Sequence, residues 1–492
     1  YGLTVNAYVI GTDGKYHSTD MTSALFADDE TSEGDKGVSM INMMTSRMGN
    51  MNLWDEILSG ARPAGERLPS LREFAGLYQC SIAVINGAYN CLEEKGLIRR
   101  SHGAGTFVAD DVRLEHKNFF HAWQAVFDME PFRKFVERAA PELIINEFPS
   151  REYLGNRNYL EWLIQQNTGL AKHPGLIALD EGQLPILADC GVLEPLDELL
   201  YRSKILSPEK FPNSLLDAMR YNGKLYALPV NFCLPVLLYN KLRFRQAGRP
   251  FPDDHWGWNE LLEHAAVLGN QELSLQSLGI LFTVSMYASF IFQSGGCFFD
   301  LNRNCAIARD EAAEGLMFFS RLMRQEGVVW HHYGDPRDIL VKKLASGELA
   351  MVLGDSVDYT LLTRIAPPGE WGAQPVPRGS CRAAAVSLRG IGVTSNHPAP
   401  EKLLRNLELL FIRNHYADFC RECLALPAYD PVGLGVENFW LEWLKYARPP
   451  IQNPSLNVIP MVFETLNQAL AQKRELDRSH LLEYQRMINA GL

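Results

Sequence analysis

The chain has 492 residues, 47% of them hydrophobic, and a formal net charge of −11. That length and apolar content suffice for two or three domains with proper cores and exclude disorder as the default, while the acidic balance excludes a protein coated in nucleic acid over its whole surface. Nine cysteines, an odd number scattered along the chain, give no disulfide framework and fit a reducing compartment.

Residues Tyr1 to about Ser46 are rich in Gly, Ser, Thr and Asp without a sustained period, which reads as a flexible N-terminal tail over 1–46. Met40, Met43, Met44, Met48 and Met51 each offer a start for a shorter product. Leu53, Trp54, Ile57 and Leu58 recur at helical spacing and predict a first helix, stopped at Gly60. Leu71, Phe74, Ala75 and Tyr78 predict a second. Ser81 suits the N-cap of a third, whose inward face is Val84, Ile85, Ala88, Tyr89 and Leu92 and which Gly96 ends. Leu97–Arg100 and Thr106–Val108 then pair across Ser101–Gly105 as a basic, Gly-tipped hairpin. Together these predict a winged helix-turn-helix over 47–109, a module that reads DNA. Met51–Ala109 holds six Lys/Arg against six Asp/Glu, so only a local cluster, Lys95, Arg99 and Arg100, is basic.

Asp110–Asn118 is polar and reads as a linker over 110–118, and from Phe119 onward helices alternate with short apolar strands. Glu130–Ala140 is amphipathic, Leu143–Phe148 strand-like, Tyr153–Thr168 helical, Leu176–Leu179 a buried strand and Gln183–Cys190 helical again. Such alternation implies an α/β sheet with ligand sites at strand ends. Leu278–Phe292 is too short for a membrane span and reads as one buried element, so no membrane partner is expected. Cys420 and Cys423 form a C-x-x-C with no second Cys/His pair at zinc spacing, and neither a metal nor a cofactor is expected. Adjacent His331 and His332 read as a solvent-facing loop pair. No basic and apolar leader stands at the start, which predicts a cytoplasmic chain.

Ile57–Val108 resembles the winged-helix domain of the GntR family of bacterial regulators. The resemblance rests on ILSG before Ala61, P-x-GERLPS at Pro63–Ser70, LREFA at Leu71–Ala75, the run Ala88–Arg100, and GAGTFV at Gly103–Val108. It implies double-stranded operator DNA as partner, bound by a homodimer. Ser70 and the amides after it can face a phosphate, and Arg72 can fork onto a phosphate or a guanine edge. The third helix, with Ser81 and Asn86, would enter the major groove, and Arg99, Arg100, His102 and Gly103 would reach from the wing. The family places Arg after the Ser81 position and again four residues later, whereas this chain has Ile82 and Asn86. Loss of two cations removes salt-dependent affinity, and a winged helix reduced to a protein-contact module is the competing reading.

From Phe119 to 492 the chain resembles the sugar-type solute-binding proteins of ABC importers. The carrying segments are His173–Leu200, Tyr221–Gly248, Trp256–Leu261, Gln293–Asp300, Leu344–Ser356 and Val386–Leu403. The fold expected is therefore α/β, a winged helix-turn-helix followed by a bilobal periplasmic-binding-protein-like α/β domain over 119–492. The resemblance implies two lobes joined by crossing strands, near Leu228–Pro229 and near Gln374–Pro377, that close on a solute. Sugar hydroxyls need planar hydrogen-bond partners, and the ring needs an aromatic face. Aligned motifs place Asp180, Glu181, Gln183, Asn231, Cys233, Thr283, Ser285, Tyr287, Asp355 and Ser356 at the cleft, with Trp371 as the stacking face. Each acid has a plainer reading as a helix cap, and Trp256 and Trp258 as packed core.

The expected function is a transcription regulator whose DNA affinity responds to a small effector in the cleft of the large domain, a carbohydrate being the class the resemblance implies. The alternative is a solute receptor for an importer. An enzyme built on a pyridoxal-phosphate body is disfavoured, because no Lys stands in a Schiff-base context.

Overall fold

The computed structural model describes residues 7–10, 16–19, 57, 62–77, 81–94, 96–101, 103–109, 119–123, 126–148, 159–161, 163–164, 175–269, 275–300, 302, 304–332, 336–395, 400–450 and 466–490. The chain divides into two compact units, Tyr1–Leu114 and Glu115–Leu492. The expected first helix, apart from Ile57, and the expected linker lie outside the described residues, as does much of the helix expected over Tyr153–Thr168.

In the first unit, β1 (Ala7–Ile10) and β2 (Tyr16–Thr19) pair antiparallel, Ala7 opposite Thr19 and Ile10 opposite Tyr16. Both strands lie within 1–46, the stretch expected to be a flexible tail. Tyr8, Val9, Ile10 and Tyr16 favour extended backbone, and Asp13-Gly14 between them is turn chemistry. Helices α1 (Leu71–Leu77) and α2 (Ile82–Glu94) follow, then β3 (Ile98–Ser101) and β4 (Gly105–Val108), paired in register from Ile98–Val108 to Ser101–Gly105. Ile57, Leu68, Phe74, Ile85, Tyr89, Leu92, Leu97 and Val108 are buried. Phe74 meets Tyr89 edge-on at 5.8 Å, and the Tyr89 hydroxyl donates to Pro69 O at 2.7 Å, which fixes α2 against the loop before α1. Gly96 ends α2 at φ +66°, a left-handed position that a side chain would strain.

The second unit opens with β5 (Phe119–Trp123), α3 (Met129–Ala139), β6 (Ile144–Phe148), β7 (Gly175–Asp180), α4 (Leu184–Asp189), α5 (Asp197–Arg202) and α6 (Asn213–Ala218). A small hairpin, β8 (Arg220–Tyr221) with β9 (Lys224–Leu225), leads into β10 (Ala227–Cys233), then β11 (Pro235–Asn240), α7 (Lys241–Gln246), α8 (Trp258–Val267), β12 (Gln276–Phe282), α9 (Val284–Gln293), α10 (Asp310–Met323), β13 (Val328–His332), α11 (Asp338–Ser346), β14 (Leu349–Asp355), α12 (Ser356–Ile365) and β15 (Trp371–Pro375). Next come β16 (Ala384–Ala385), β17 (Ser387–Val393), α13 (Pro400–Leu410), α14 (Arg413–Glu422), β18 (Leu426–Pro427), α15 (Asn438–Leu444), β19 (Ala447–Arg448) and α16 (Arg478–Ala490).

Among the described residues these strands form two main sheets, ordered β18-β10-β17-β7-β5-β6 and β13-β12-β14-β11-β15. In the first, β6, β5 and β7 run parallel and β17 is antiparallel to β7. In the second, β13, β12 and β14 run parallel and β11 is antiparallel to β14. Their central strands are buried along nearly their whole length, as sheets covered on both faces require. His331 lies in β13 rather than on a loop, and Leu278–Phe292 is two elements, β12 and α9, separated by Thr283. A continuous apolar run cannot tell a strand from a helix by period alone, but the Thr283 hydroxyl accepts from Met286 N and caps α9.

The sheets are joined where β10 of the first becomes β11 of the second, at Leu234. This corrects the crossing expected at Leu228–Pro229, which is paired with Ile391 and Gly390 inside the first sheet. Pro229 adjoins a bulge, where a residue without N–H is tolerated and need not mark a strand end. The return runs from Pro375 at the end of β15 to β17, and a further passage takes the chain from β18 to α16. There Gln485 and Asn489 accept from Ala308 N and Cys305 N at 2.9 and 2.8 Å.

Helices α9 and α10 of the second lobe touch at Gly315. A Cβ there would stand 2.5 Å from Phe290 O and 2.7 Å from Ile291 N. Replacement Gly315→Ala therefore overpacks a helix contact and is expected to cost about 1–3 kcal/mol, read as a lower thermal midpoint of the large unit; an unchanged midpoint would show that α9 and α10 do not approach so closely.

Candidate functional site

In the winged helix, the N-terminus of α1 is closed by its own side chains. Ser70 Oγ accepts from Glu73 N at 3.3 Å, and the Glu73 carboxylate accepts from Ser70 N at 2.7 Å. These bonds hold Glu73 below the ordinary carboxylate range. At the N-terminus where a phosphate seat is expected, Ser70 and Glu73 form a capping box. Arg72 is exposed on α1, as are Ser81 just before α2 and Ile82, Ala83 and Asn90 on it, while Asn86 is half-buried.

Arg100 is committed within the module. Its guanidinium lies 3.4 Å from Glu93 and donates to Asn86 O at 3.4 Å. Arg99 covers the Phe107 ring at 5.0 Å. Gly103 is exposed at the wing tip with φ +77°, and His102 lies outside the described residues. Arg67 escaped the sequence reading; it bridges to Phe107 and lies beside Gly105, where a Cβ would stand 3.0 Å from its Nε.

The second site straddles Leu234. On the first lobe, β7, β17 and β10 put Asp180, Arg389 and Asn231 in cross-strand register, so the three share a sheet face. Asp180 accepts from Gly182 N and Gln183 N, and Gln183 Oε1 accepts from Asp180 N at 3.0 Å. Glu181 accepts from Leu388 N at 2.8 Å. Arg389 donates towards Cys233 Sγ at 3.7 Å, and its charge acts on both acids. Asn231 is buried, with Oδ1 lacking a partner among the described residues.

On the second lobe, Asp355 ends β14 opposite Pro235 and caps α12 through Val357 N and Asp358 N. Arg337 pairs with Asp355 and lies 3.6 Å from Asp358. The two lobes therefore present the same kit, two carboxyls around one guanidinium. Ser356 joins them: its N donates to Leu234 O at 3.0 Å and its Oγ accepts from Leu234 N at 3.4 Å. Cys233 packs on Val357 and Ala425 between the lobes.

Thr283 and Ser285 follow the carboxyl end of β12, on the edge where parallel β14 ends in Asp355, the position where open α/β sheets place ligands. Two expected residues do not join this edge. Tyr287 is fully buried against Phe282, Phe298 and Phe319, and burial holds its phenol well above the ordinary value. Trp371 pairs with Asn240, the end of β11 far from Leu234, and meets Tyr359 edge-on at 5.2 Å. Both are aromatic residues claimed by packing, which local sequence does not reveal. Trp258 likewise packs on Phe318 and donates to Gln293.

Arg389, Arg337 and Asp358 were not anticipated. A lone Arg inside the apolar strand Ser-Leu-Arg-Gly-Ile-Gly-Val is a usable signal, since a charge is held there only by partners, and Asp355-x-x-Asp358 has capping-box spacing. No comparable signal marks Arg337. A separate shallow groove lies by the return passage, lined in part by Pro375, Val376, Arg378 and Trp443, and holds none of the expected ligand residues.

Burial, then the Asp180 charge, push Glu181 up to about 8. Burial, then Asp355, push Asp358 up to about 7. Burial lowers Arg337, but Asp355 and Asp358 outweigh it and hold the guanidinium above its usual value. Both carboxyls titrate higher in the fold than in the unfolded chain, so the folded state binds more protons in between, and stability falls as pH rises through about 7 and 8. Each group contributes a slope of at most about 1.4 kcal/mol per pH unit. Glu181→Gln keeps an acceptor for Leu388 N and is expected to flatten the upper part of a stability–pH curve, gaining on the parent most near pH 9. Parallel curves for the two proteins would contradict this assignment.

Comparisons place these sites among known proteins. Residues 162–411 match the family model described as bacterial extracellular solute-binding protein, and residues 51–108 match bacterial regulatory proteins of the gntR family. Among curated proteins none matches the chain. Among solved structures, the sugar-binding protein MalE from Xanthomonas citri is 16% identical with TM-score 0.62, covering 76% of this chain and 96% of that one. An ABC substrate-binding protein from Listeria monocytogenes in complex with cycloalternan is 19% identical with TM-score 0.60, covering 76% and 98%. A solute-binding protein from Thermotoga lettingae bound with alpha-D-tagatose is 19% identical with TM-score 0.59, over the same shares. Two lobes sharing a strand at Leu234 agree with that fold, and the chain belongs to the bacterial solute-binding protein family, here fused behind a winged helix of the gntR regulators.

Proposed function

We propose that the chain is a cytoplasmic, DNA-binding transcriptional regulator whose grip on operator DNA is set by a small carbohydrate held between the lobes of its large unit. The observation that carries the reading is the fusion itself: a gntR-type module precedes a solute-binding body in one polypeptide. Neither matched family is one of enzymes. Residues 47–109 serve as the head, 110–118 as the linker and 119–492 as the effector body. The head works as a homodimer on a near-palindromic site, since two-fold protein symmetry is mirrored in paired half-sites.

The solute class is supported by the chemistry at Leu234. Asp180, Asn231 and Asp355 offer planar acceptors and donors, and the two arginines are each offset by carboxyls, which suits a neutral polyhydroxyl ligand. Sugar-bound proteins of the same fold point the same way. Among the described residues no helix is long and apolar enough to cross a membrane.

Solute must bind the DNA-competent and incompetent states unequally, and a coupling of about 1–3 kcal/mol, or 5- to 150-fold in affinity, is expected. Thermal shift of the full chain against maltose, D-tagatose and cycloalternan identifies a stabilising sugar by mass action. A mobility shift at modest salt, with and without that sugar, should then show the change in operator affinity. A chain that binds the sugar but no duplex in either state would return the reading to a solute receptor.

A further inference from the structure

Helix α2 buries Ile85, Tyr89 and Leu92 and turns the opposite stripe outward. That stripe holds Ile82, 46% exposed, with Ala83, Asn86, Gly87 and Asn90. None of the five is charged. Arg100 is paired with Glu93 and bonded to the Asn86 carbonyl, so it does not supply the missing guanidinium.

Gly87 is the least expected residue on this surface. It lies inside the helix, where Gly is a poor choice, and a Cβ there would meet nothing within 4 Å. Packing among the described residues does not call for it. A helix side lacking a Cβ lets an outside surface come close to the backbone, and in a domain matched to gntR regulators that surface is the major groove.

The side chains on either side of Gly87 have a definite preference among bases. An Asn amide donates and accepts, matching adenine N6 and N7, and apolar Ile and Ala suit the thymine methyl. Guanine, read best by a forked Arg, finds no such partner on the stripe. Resting on the DNA-binding reading above, we propose that α2 selects A·T pairs, with Asn86 and Asn90 on adenine edges, Ile82 and Ala83 on thymine methyls, and Gly87 admitting the backbone close to the groove. Phosphate affinity then falls to cations off this stripe, Arg67, Arg72 and Arg99.

Selection of the full-length protein on random-sequence duplex at modest salt tests this. Half-sites rich in A·T at the read positions are expected. Selected half-sites dominated by G·C would overturn the inference while leaving the regulator reading intact, and failure to retain any duplex would overturn both. Against the selected site, Asn86→Ala should weaken binding roughly 10- to 100-fold with little change on unrelated duplex. Asn86→Arg should steepen the salt dependence by about one unit and move the preference towards guanine. Gly87→Ala should leave or raise the thermal midpoint, because Ala is the better helix former, yet weaken operator binding; a Gly87→Ala protein that is as stable and binds as tightly as its parent would refute the close approach.

Discussion

One short piece of backbone, Cys233-Leu234-Pro235, belongs to both sheets of the large unit. Because the strand does not end between the lobes, any rearrangement of one against the other must be absorbed there and in the other passages. Ser356 holds Leu234 by its N–H and its carbonyl, and Trp443 donates to Pro235 O at 2.8 Å. Backbone groups at the crossing are thereby satisfied without sheet partners, as burial demands.

The charges of the site follow from the same place. Strands that converge on Leu234 bring Asp180 and Arg389 to its first-lobe side and Asp355 to its second-lobe side. Burial, then the neighbouring carboxylate, pushes Glu181 up to about 8 and Asp358 up to about 7, while the guanidinium in each lobe pulls the other way. Glu181 and Asp358 are themselves turned inward, accepting from Leu388 N and Asp355 N within their own lobes.

Much of the winged helix was legible because its signals are local. Ser81 before α2, Gly96 at φ +66° after it and Gly103 at φ +77° in the wing each act through their own backbone. The crossing was not legible, since the run from Ala227 to Asn240 is apolar throughout and sheet membership is decided by partners distant in sequence. The packing of Trp371 and Tyr287 was illegible for a related reason: an aromatic side chain suits a sugar ring and a core equally, and its contacts with Tyr359 or Phe298 come from residues distant in sequence. Asp180 and Asp355 were legible as strand ends, with Glu181 directly after, the places where α/β sheets tend to expose side chains.

The central claim is that solute is held at the Leu234 crossing and not at the far end of β15. Calorimetric titration with whichever sugar stabilises the parent, repeated on Arg389→Met and Trp371→Phe proteins, tests it directly. The account predicts at least a tenfold loss of affinity for Arg389→Met and near-parental affinity for Trp371→Phe; the reverse order would contradict it.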